Sequence, residues 1–237
     1  MVPVSILEAL NLFAIDGTSR KPEQLKAYAD CITQLKTLCA EEDYDSIFSL
    51  MQESSFEELE AFVLDTGNPV IIVHEGTGLG LYPVTTELYG SCMVYYGQYS
   101  GEKRQGNGLW LGGDSGNNHY AKGEWMDDLP NGAFEARYVS AQNVEAGVAA
   151  ELVTGSVVNG LWNGSVQWNF VENDGEVWTY PVNFTNGKWV ILRYRDDGGA
   201  VVSEISMEDG AASEMVNAIP ERAVGIVGFT QSAEIES

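Results

Sequence analysis

The sequence predicts an α+β protein. A helical N-terminal part of about 66 residues caps or flanks a long glycine-rich antiparallel sheet, and a C-terminal helix packs back on it. Three observations carry this. Up to Thr66 the apolar residues recur at spacings of three and four. From Pro69 to about residue 205 glycine becomes frequent and the apolar period falls toward two. After residue 206 the helical spacing returns. The corresponding regions are 1–67, 68–205 and 206–237.

Ser5 and Glu8 form a capping box ahead of Ile6, Leu7 and Leu10, and Asp16-Gly17-Thr18-Ser19 breaks the pattern. Pro22 then stands near a helix start, where its missing N–H costs nothing. Leu25, Tyr28, Ile32, Leu35 and Cys39 make one apolar stripe, widened by Ala29 and Leu38, with Lys26, Asp30 and Lys36 on the other side. Glu41-Glu42-Asp43 ends this helix. A shorter one follows with Ile47, Phe48, Leu50 and Met51. Ser55 and Glu58 read as a second capping box, opening a helix with Leu59, Phe62 and Val63 that Thr66-Gly67-Asn68-Pro69 stops.

Pro69-Val70-Ile71-Ile72-Val73 reads as a short buried strand, and only strands and turns are expected from there to residue 205. The turn signals are Gly112-Gly113-Asp114, Pro130-Asn131-Gly132, Asn159-Gly160, Asn163-Gly164, Asn173-Asp174-Gly175 and Asn186-Gly187. The tail reads as a helix from Met207 to Ala218, stopped before Pro220. Val224 to Phe229 follows as a last strand or an extended cover.

The sheet region repeats itself. Gly97 is followed nine residues later by Gly106, Gly123 by Gly132 and Gly155 by Gly164. Alternation puts Gly106, Gly108 and Trp110 on one strand face, likewise Gly132, Phe134 and Tyr138, and Gly164, Val166, Trp168 and Phe170. Each unit reads as strand, tight turn, strand. A glycine in a strand leaves bare backbone, and a ring from a neighbouring strand can cover it and offset the cost.

Tyr95-Tyr96-Gly97-Gln98-Tyr99 leading to Gly106-Asn107-Gly108, and Tyr120 to Gly123-Glu124-Trp125 leading to Gly132-Ala133-Phe134, share a pattern of Tyr-x-Gly, turn and Gly-x-Gly or Gly-x-aromatic. This resembles the MORN-repeat family in its bacterial form. A third copy, Gly155 to Trp168, lacks the leading Tyr. A degenerate fourth runs from Tyr180 to Leu192, and Gly78-Leu79-Gly80-Leu81-Tyr82 is similar to the second half of an earlier copy. The resemblance covers about residues 78–195, with three to four copies. It implies an elongated, twisted antiparallel sheet of hairpins that serves as an interaction platform, for some members a lipid one, without chemistry of its own. Repeat stacks need end caps, the role this assigns to both helical parts. The competing expectation is that the N-terminal helices form a separate dimerisation or effector module.

At 237 residues the chain can bury a sizeable core. Its 12 basic and 35 acidic residues give a net charge of −23, opposite to what a nucleic-acid backbone binder needs and unfavourable for an anionic membrane surface. The charge is spread: 4 basic and 13 acidic residues in 1–67, 7 and 16 in 68–205, 1 and 6 in 206–237. Even spreading points to solubility rather than to an acidic binding tail. No apolar run has the roughly 18–20 residues of a membrane span. No basic segment precedes an apolar stretch at the start, so a cytoplasmic location is the default expectation. The 3 cysteines are odd in number. Cys31 and Cys39 lie about 12 Å apart along one helix, too far to bridge, and Cys92 falls in an apolar strand, so buried free thiols are expected.

No residue is assigned a catalytic, cofactor-binding or metal-ligating role. Gly76-Thr77-Gly78-Leu79-Gly80 follows a strand as a dinucleotide fingerprint does. However, Leu81 stands where the third glycine is needed, and Tyr82-Pro83-Val84 cannot start the required helix well. His74 closes a strand and His119 sits in an Asn/Gly turn, neither at a metal spacing with cysteine. Glu124, Asp127, Asp128 and Glu135 lie near Trp125 and weakly suggest a sugar site. All 6 Trp fall between Trp110 and Trp189. Rings left exposed would bind a protein segment or a glycan by stacking. Tyr95, Tyr99, Trp110, Tyr120, Trp125 and Trp162 are the candidate interaction surface. The leading expectation is a non-catalytic protein-interaction scaffold with an unidentified protein partner and no cofactor. The alternatives are a carbohydrate-binding module or glycan-acting enzyme using exposed Trp and carboxylates, and a phospholipid-binding module.

Overall fold

The apolar stripe predicted from Leu25 to Cys39 coils as expected. In the computed structural model, which describes residues 25–85, 90–113, 116–145, 147–185, 188–195 and 201–206, it forms helix α1 (Ala29–Glu41), preceded by one helical turn. Its buried side is Ala29, Cys31, Ile32, Leu35 and Cys39. Glu42 ends it in the left-handed conformation, φ 54°, without the glycine usual there. Helix α2 (Tyr44–Leu50) starts on Asp43, whose carboxylate accepts a hydrogen bond from the Ser46 N–H at 3.2 Å. Helix α3 (Ser54–Thr66) begins earlier than the sequence suggested, with Glu53 as its first boundary residue. Ser55 therefore lies inside the first turn, beside the Cys31 thiol, and forms no capping box. Gly67 stops α3 at φ 62°.

The strands are β1 (Val70–His74), β2 (Thr77–Thr85), β3 (Gly90–Ser100), β4 (Lys103–Gly113), β5 (Asn117–Met126), β6 (Leu129–Ser140), β7 (Val148–Val158), β8 (Leu161–Glu172), β9 (Val177–Thr185), β10 (Lys188–Arg195) and β11 (Val201–Ser206). The protein is thus α+β, mostly antiparallel sheet with a few helices. One short helix, α4 (Ala141–Glu145), interrupts the stretch expected to hold only strands and turns. At one turn in length it is too short to show a helical period, and it is tied down by Asn143 and by the Gly147 N–H on the Val144 carbonyl.

The chain divides into two compact units, Met1–Tyr120 and Ala121–Ser237, with the boundary inside β5. In the first, β1 to β4 pair antiparallel in sequence order. One face carries Val70, Ile72, Leu79, Leu81, Cys92, Val94, Leu109 and Leu111, and forms a single core with the buried sides of α1, α2 and α3. Val70 and Ile72 are buried while Ile71 and Val73 are half-buried, so β1 is covered on one face rather than both. Glu60 on α3 reaches the sheet and accepts the Cys92 N–H at 2.7 Å, beyond the last β3–β4 pair at Val94 and Leu111. Tyr44 of α2 stacks on Tyr120, with centroids 4.1 Å apart.

In the second unit β6 to β11 also pair antiparallel in sequence order. The shared face of β6, β7 and β8 buries Phe134, Val153, Val157, Val166, Trp168 and Phe170. All three cysteines are free and buried. Burial pushes Cys39 and Cys92 up to about 12, so both are inert thiols near neutral pH. Among the described residues no helix is long and apolar enough to cross a membrane. The Ser5–Glu8 capping box, the Asn186-Gly187 turn, the Met207–Ala218 helix and the Val224–Phe229 segment lie outside the described residues.

Candidate functional site

Three hairpins share one design. Gly106, Gly132 and Gly164 are each the fourth residue of their strand, after turns at 101–102, 127–128 and 159–160, and each has positive φ: 62°, 121° and 82°. At Gly106 and Gly164 the ladder shifts register, so these glycines sit in β-bulges. This corrects two expectations. Asn163-Gly164 is a bulge and Pro130-Asn131-Gly132 lies within β6, the turn before it being Asp127-Asp128. Turns and bulges both demand positive φ, so the same residue types mark both. Nor do these second glycines lie beneath rings. Gly106 packs on the Gln98 side chain and Gly132 on that of Glu124, the residues following Gly97 and Gly123. Gln98 also accepts the Asn107 N–H at 2.8 Å, which pins the bulge. Ser156 holds the same place in the third hairpin, and nothing lies within 4 Å of a Cβ built on Gly164.

The rings lie instead over other glycines of the strands. Tyr95 covers Gly97 and Gly108, Tyr82 and Tyr99 cover Gly80, and Phe134 covers Gly123. Register places Gly80, Tyr95 and Trp110 in one cross-strand row, Gly78, Gly97 and Gly108 in the next, and Tyr99 opposite Arg104. This face is opposite the one packed on the helices. Tyr95 and Tyr99 are buried in it at 0% and 7% exposure, while Tyr82, Arg104 and Trp110 are half-buried above them.

Arg104 and the rings form one cluster. The guanidinium carbon stands 4.8 Å from the Tyr82 centroid, 4.8 Å from that of Trp110 and 5.9 Å from that of Tyr95. Tyr82 and Trp110 are 5.4 Å apart and tilted by 48°, so they open as a notch with Arg104 in its mouth. Tyr95 meets Tyr99 edge-on at 5.2 Å and donates its hydroxyl to the Gln98 carbonyl at 3.0 Å. The Tyr82 and Tyr99 hydroxyls lie 3.1 Å apart. Burial, followed by the nearby Tyr82 hydroxyl, raises the Tyr99 phenol well above its ordinary range, so it stays protonated.

Three of the six predicted surface residues, Tyr95, Tyr99 and Trp110, therefore come together. The other three do not join them. Tyr120 stacks on Tyr44, Trp125 packs edge-on against Phe134 at 5.8 Å, and Trp162 is buried opposite Val157. Five of the six are buried and only Trp110 stays half-buried. Tyr82 and Arg104 were missed. Tyr82 stands two residues after Gly80, which marks the face. Arg104 comes opposite Tyr99 only because of the Gly106 bulge.

The weaker readings resolve by geometry. Gly76 forms the β1–β2 turn with Glu75, and β2 follows directly, so no helix N-terminus meets the glycines. His119 lies in β5 rather than in a turn. Asp127 and Asp128 are turn residues, Glu124 packs on Gly132, and Glu135 is exposed beside buried Phe134. No cluster of His, Cys, Asp and Glu suited to a metal occurs among the described residues.

Among the described residues one carboxyl is buried. Glu151 in β7 has no exposure, and accepts hydrogen bonds from the Asn143 amide at 2.5 Å and the Trp168 indole at 3.2 Å. Desolvation pushes it up to about 7, against the lowering effect of those two donors. A charged residue at an inward phase of an alternating strand was its only sequence signal.

No known family model matches the chain, and no curated protein matches it.

Proposed function

We propose that the protein is a non-catalytic protein-interaction module in which MORN-like, glycine-backed hairpins present a ring-bearing face to a partner. The observation that carries this reading is the half-buried layer of Tyr82, Arg104 and Trp110, set on buried Tyr95 and Tyr99 and facing away from the helical core. The recurring positive-φ glycine at the fourth position of β4, β6 and β8 supports the repeat kinship, and with it an elongated hairpin array capped by helical parts, the C-terminal helix among them. The net charge of −23 favours a basic protein partner over nucleic acid or an anionic lipid surface.

The test is affinity capture followed by calorimetry with the purified partner, comparing the native chain with Tyr82→Ala/Trp110→Ala. The reading expects a saturable complex weakened by about a hundredfold or more, in line with two hot-spot aromatics. Undiminished binding by the double variant overturns it. A second reading, glycan stacking, draws on the tilted Tyr82–Trp110 pair. Saturable sugar binding on an array, lost in the same variant, would replace the protein partner with a carbohydrate.

A further inference from the structure

We infer that the notch of Tyr82, Tyr95 and Trp110 is a recognition site for an arginine side chain of a basic partner segment, and that Arg104 is its resident occupant, exchanged outward on binding. This rests on the interaction reading above and deepens it by naming what the partner must carry.

The geometry is that of a cation cage. Arg104 caps two rings at equal distance, with the third as floor. The rings are oriented from beneath. At Gly80 a Cβ would strike Tyr82 and Tyr99, and at Gly97 and Gly108 it would strike Tyr95, so the absent side chains let these tyrosines pack close to the backbone. Hydroxyl contacts between Tyr82 and Tyr99, and from Tyr95 to the Gln98 carbonyl, fix their outer ends. None of these contacts runs through Arg104, so Tyr82 and Tyr95 keep their places when the guanidinium leaves. Arg104 is the second residue of β4, next to the hairpin turn at 101–102, where a long half-buried side chain can swing out without breaking the ladder.

Trading one guanidinium for another leaves the ring contacts nearly unchanged. The net gain comes from bringing a basic segment to a protein of charge −23, so complex formation weakens as salt is added. A planar guanidinium spreads over two tilted rings better than a compact ammonium does, so arginine is preferred to lysine.

The experiment uses the full chain and N-acetyl-arginine amide, followed by NMR through the backbone amide resonances of Gly80, Gly97 and Gly108 under the rings, which every variant keeps. Arg104→Ala vacates the notch and is expected to bind the amide about tenfold more tightly than the native chain. The lysine analogue should bind more weakly, and Arg104→Ala/Trp110→Ala should bind neither. Equal binding by native and Arg104→Ala protein, or binding that survives loss of Trp110, overturns the inference. Should Arg104→Ala fail to fold, Arg104→Gln removes the charge while keeping most of the stem, and the same comparison applies. If the amide does not bind yet a purified partner still depends on Trp110, the cation site falls and the interaction module stands. If partner binding ignores Trp110, both fall.

Discussion

In β1 to β4 the face turned from the helices is built on Gly78, Gly80, Gly97 and Gly108 in regular ladder positions, with tyrosine side chains packed over three of them. In β6 to β8 the shared buried face is built on Phe134, Val153, Val157, Val166, Trp168 and Phe170, with Gly132 and Gly155 as its ladder glycines in the β6–β7 pair. The first arrangement uses missing side chains to make room for rings, so its stability depends on backbone that must stay bare. The second uses bulk, so the loss of one contact is more local. It also tolerates a buried carboxyl, since Asn143 and Trp168 donate to Glu151. Where a sheet covers itself with rings, its glycines act as core residues, though nothing in their chemistry looks like core.

The sharpest way to break this contrast is to add one methyl group to each kind of glycine. Gly108→Ala drives a Cβ into Tyr95, which has 0% exposure and nowhere to retreat. It should destabilise the fold by about 3 kcal/mol or more in urea unfolding. Gly164→Ala meets open space and carries only the strain of φ 82°, about 1–2 kcal/mol. Equal costs would show that Tyr95 is not fixed over backbone.

The next test probes Glu151. Its folded carboxyl holds a proton up to about pH 7, against an ordinary value of 4.5, so the folded state binds more protons than the unfolded one between those limits. Stability should fall as the pH rises from about 4.5 toward 7 and level off above, a loss of roughly 2–3 kcal/mol. Glu151→Gln should flatten that slope, as read from urea midpoints at pH 5 and 7.5. An unchanged slope would assign the titration to other groups.

Removing Glu60 addresses how the helices hold the first sheet. Glu60→Ala leaves the Cys92 N–H without its carboxylate and should cost about 1–3 kcal/mol, with faster hydrogen exchange at Cys92 than at Val94. The smallest effect is expected at Asp43→Ala, which removes the cap of α2 and should cost about 1 kcal/mol by thermal unfolding, leaving the ring face unaltered.

Much of this fold was legible in the residues. The α1 stripe, the stop at Gly67, the turn at Asn159-Gly160 and the free buried cysteines follow from spacing and from conformational preferences that act over a few residues. The nine-residue glycine interval was also legible, and it marks one hairpin position three times over. What those glycines do was not. A residue that tolerates positive φ serves a turn or a bulge equally well, and the choice depends on the strand opposite.

The pairing of Arg104 shows what the chain alone left open. Continuing the Gly97–Gly108 register without a bulge would set Gly106 across from Tyr99, and Arg104 beyond the ladder's end. The bulge at Gly106, held by Gln98, moves Arg104 into that place and so beneath the reach of Tyr82 and Trp110. Local sequence determined which segments coil, which extend and where backbone stays bare, because those preferences are paid within a few residues. Only the folded sheet decided which rings are buried and which cation they enclose. That outcome depends on cross-strand register, which at this bulge shifts by two residues and so changes the partner while keeping the face.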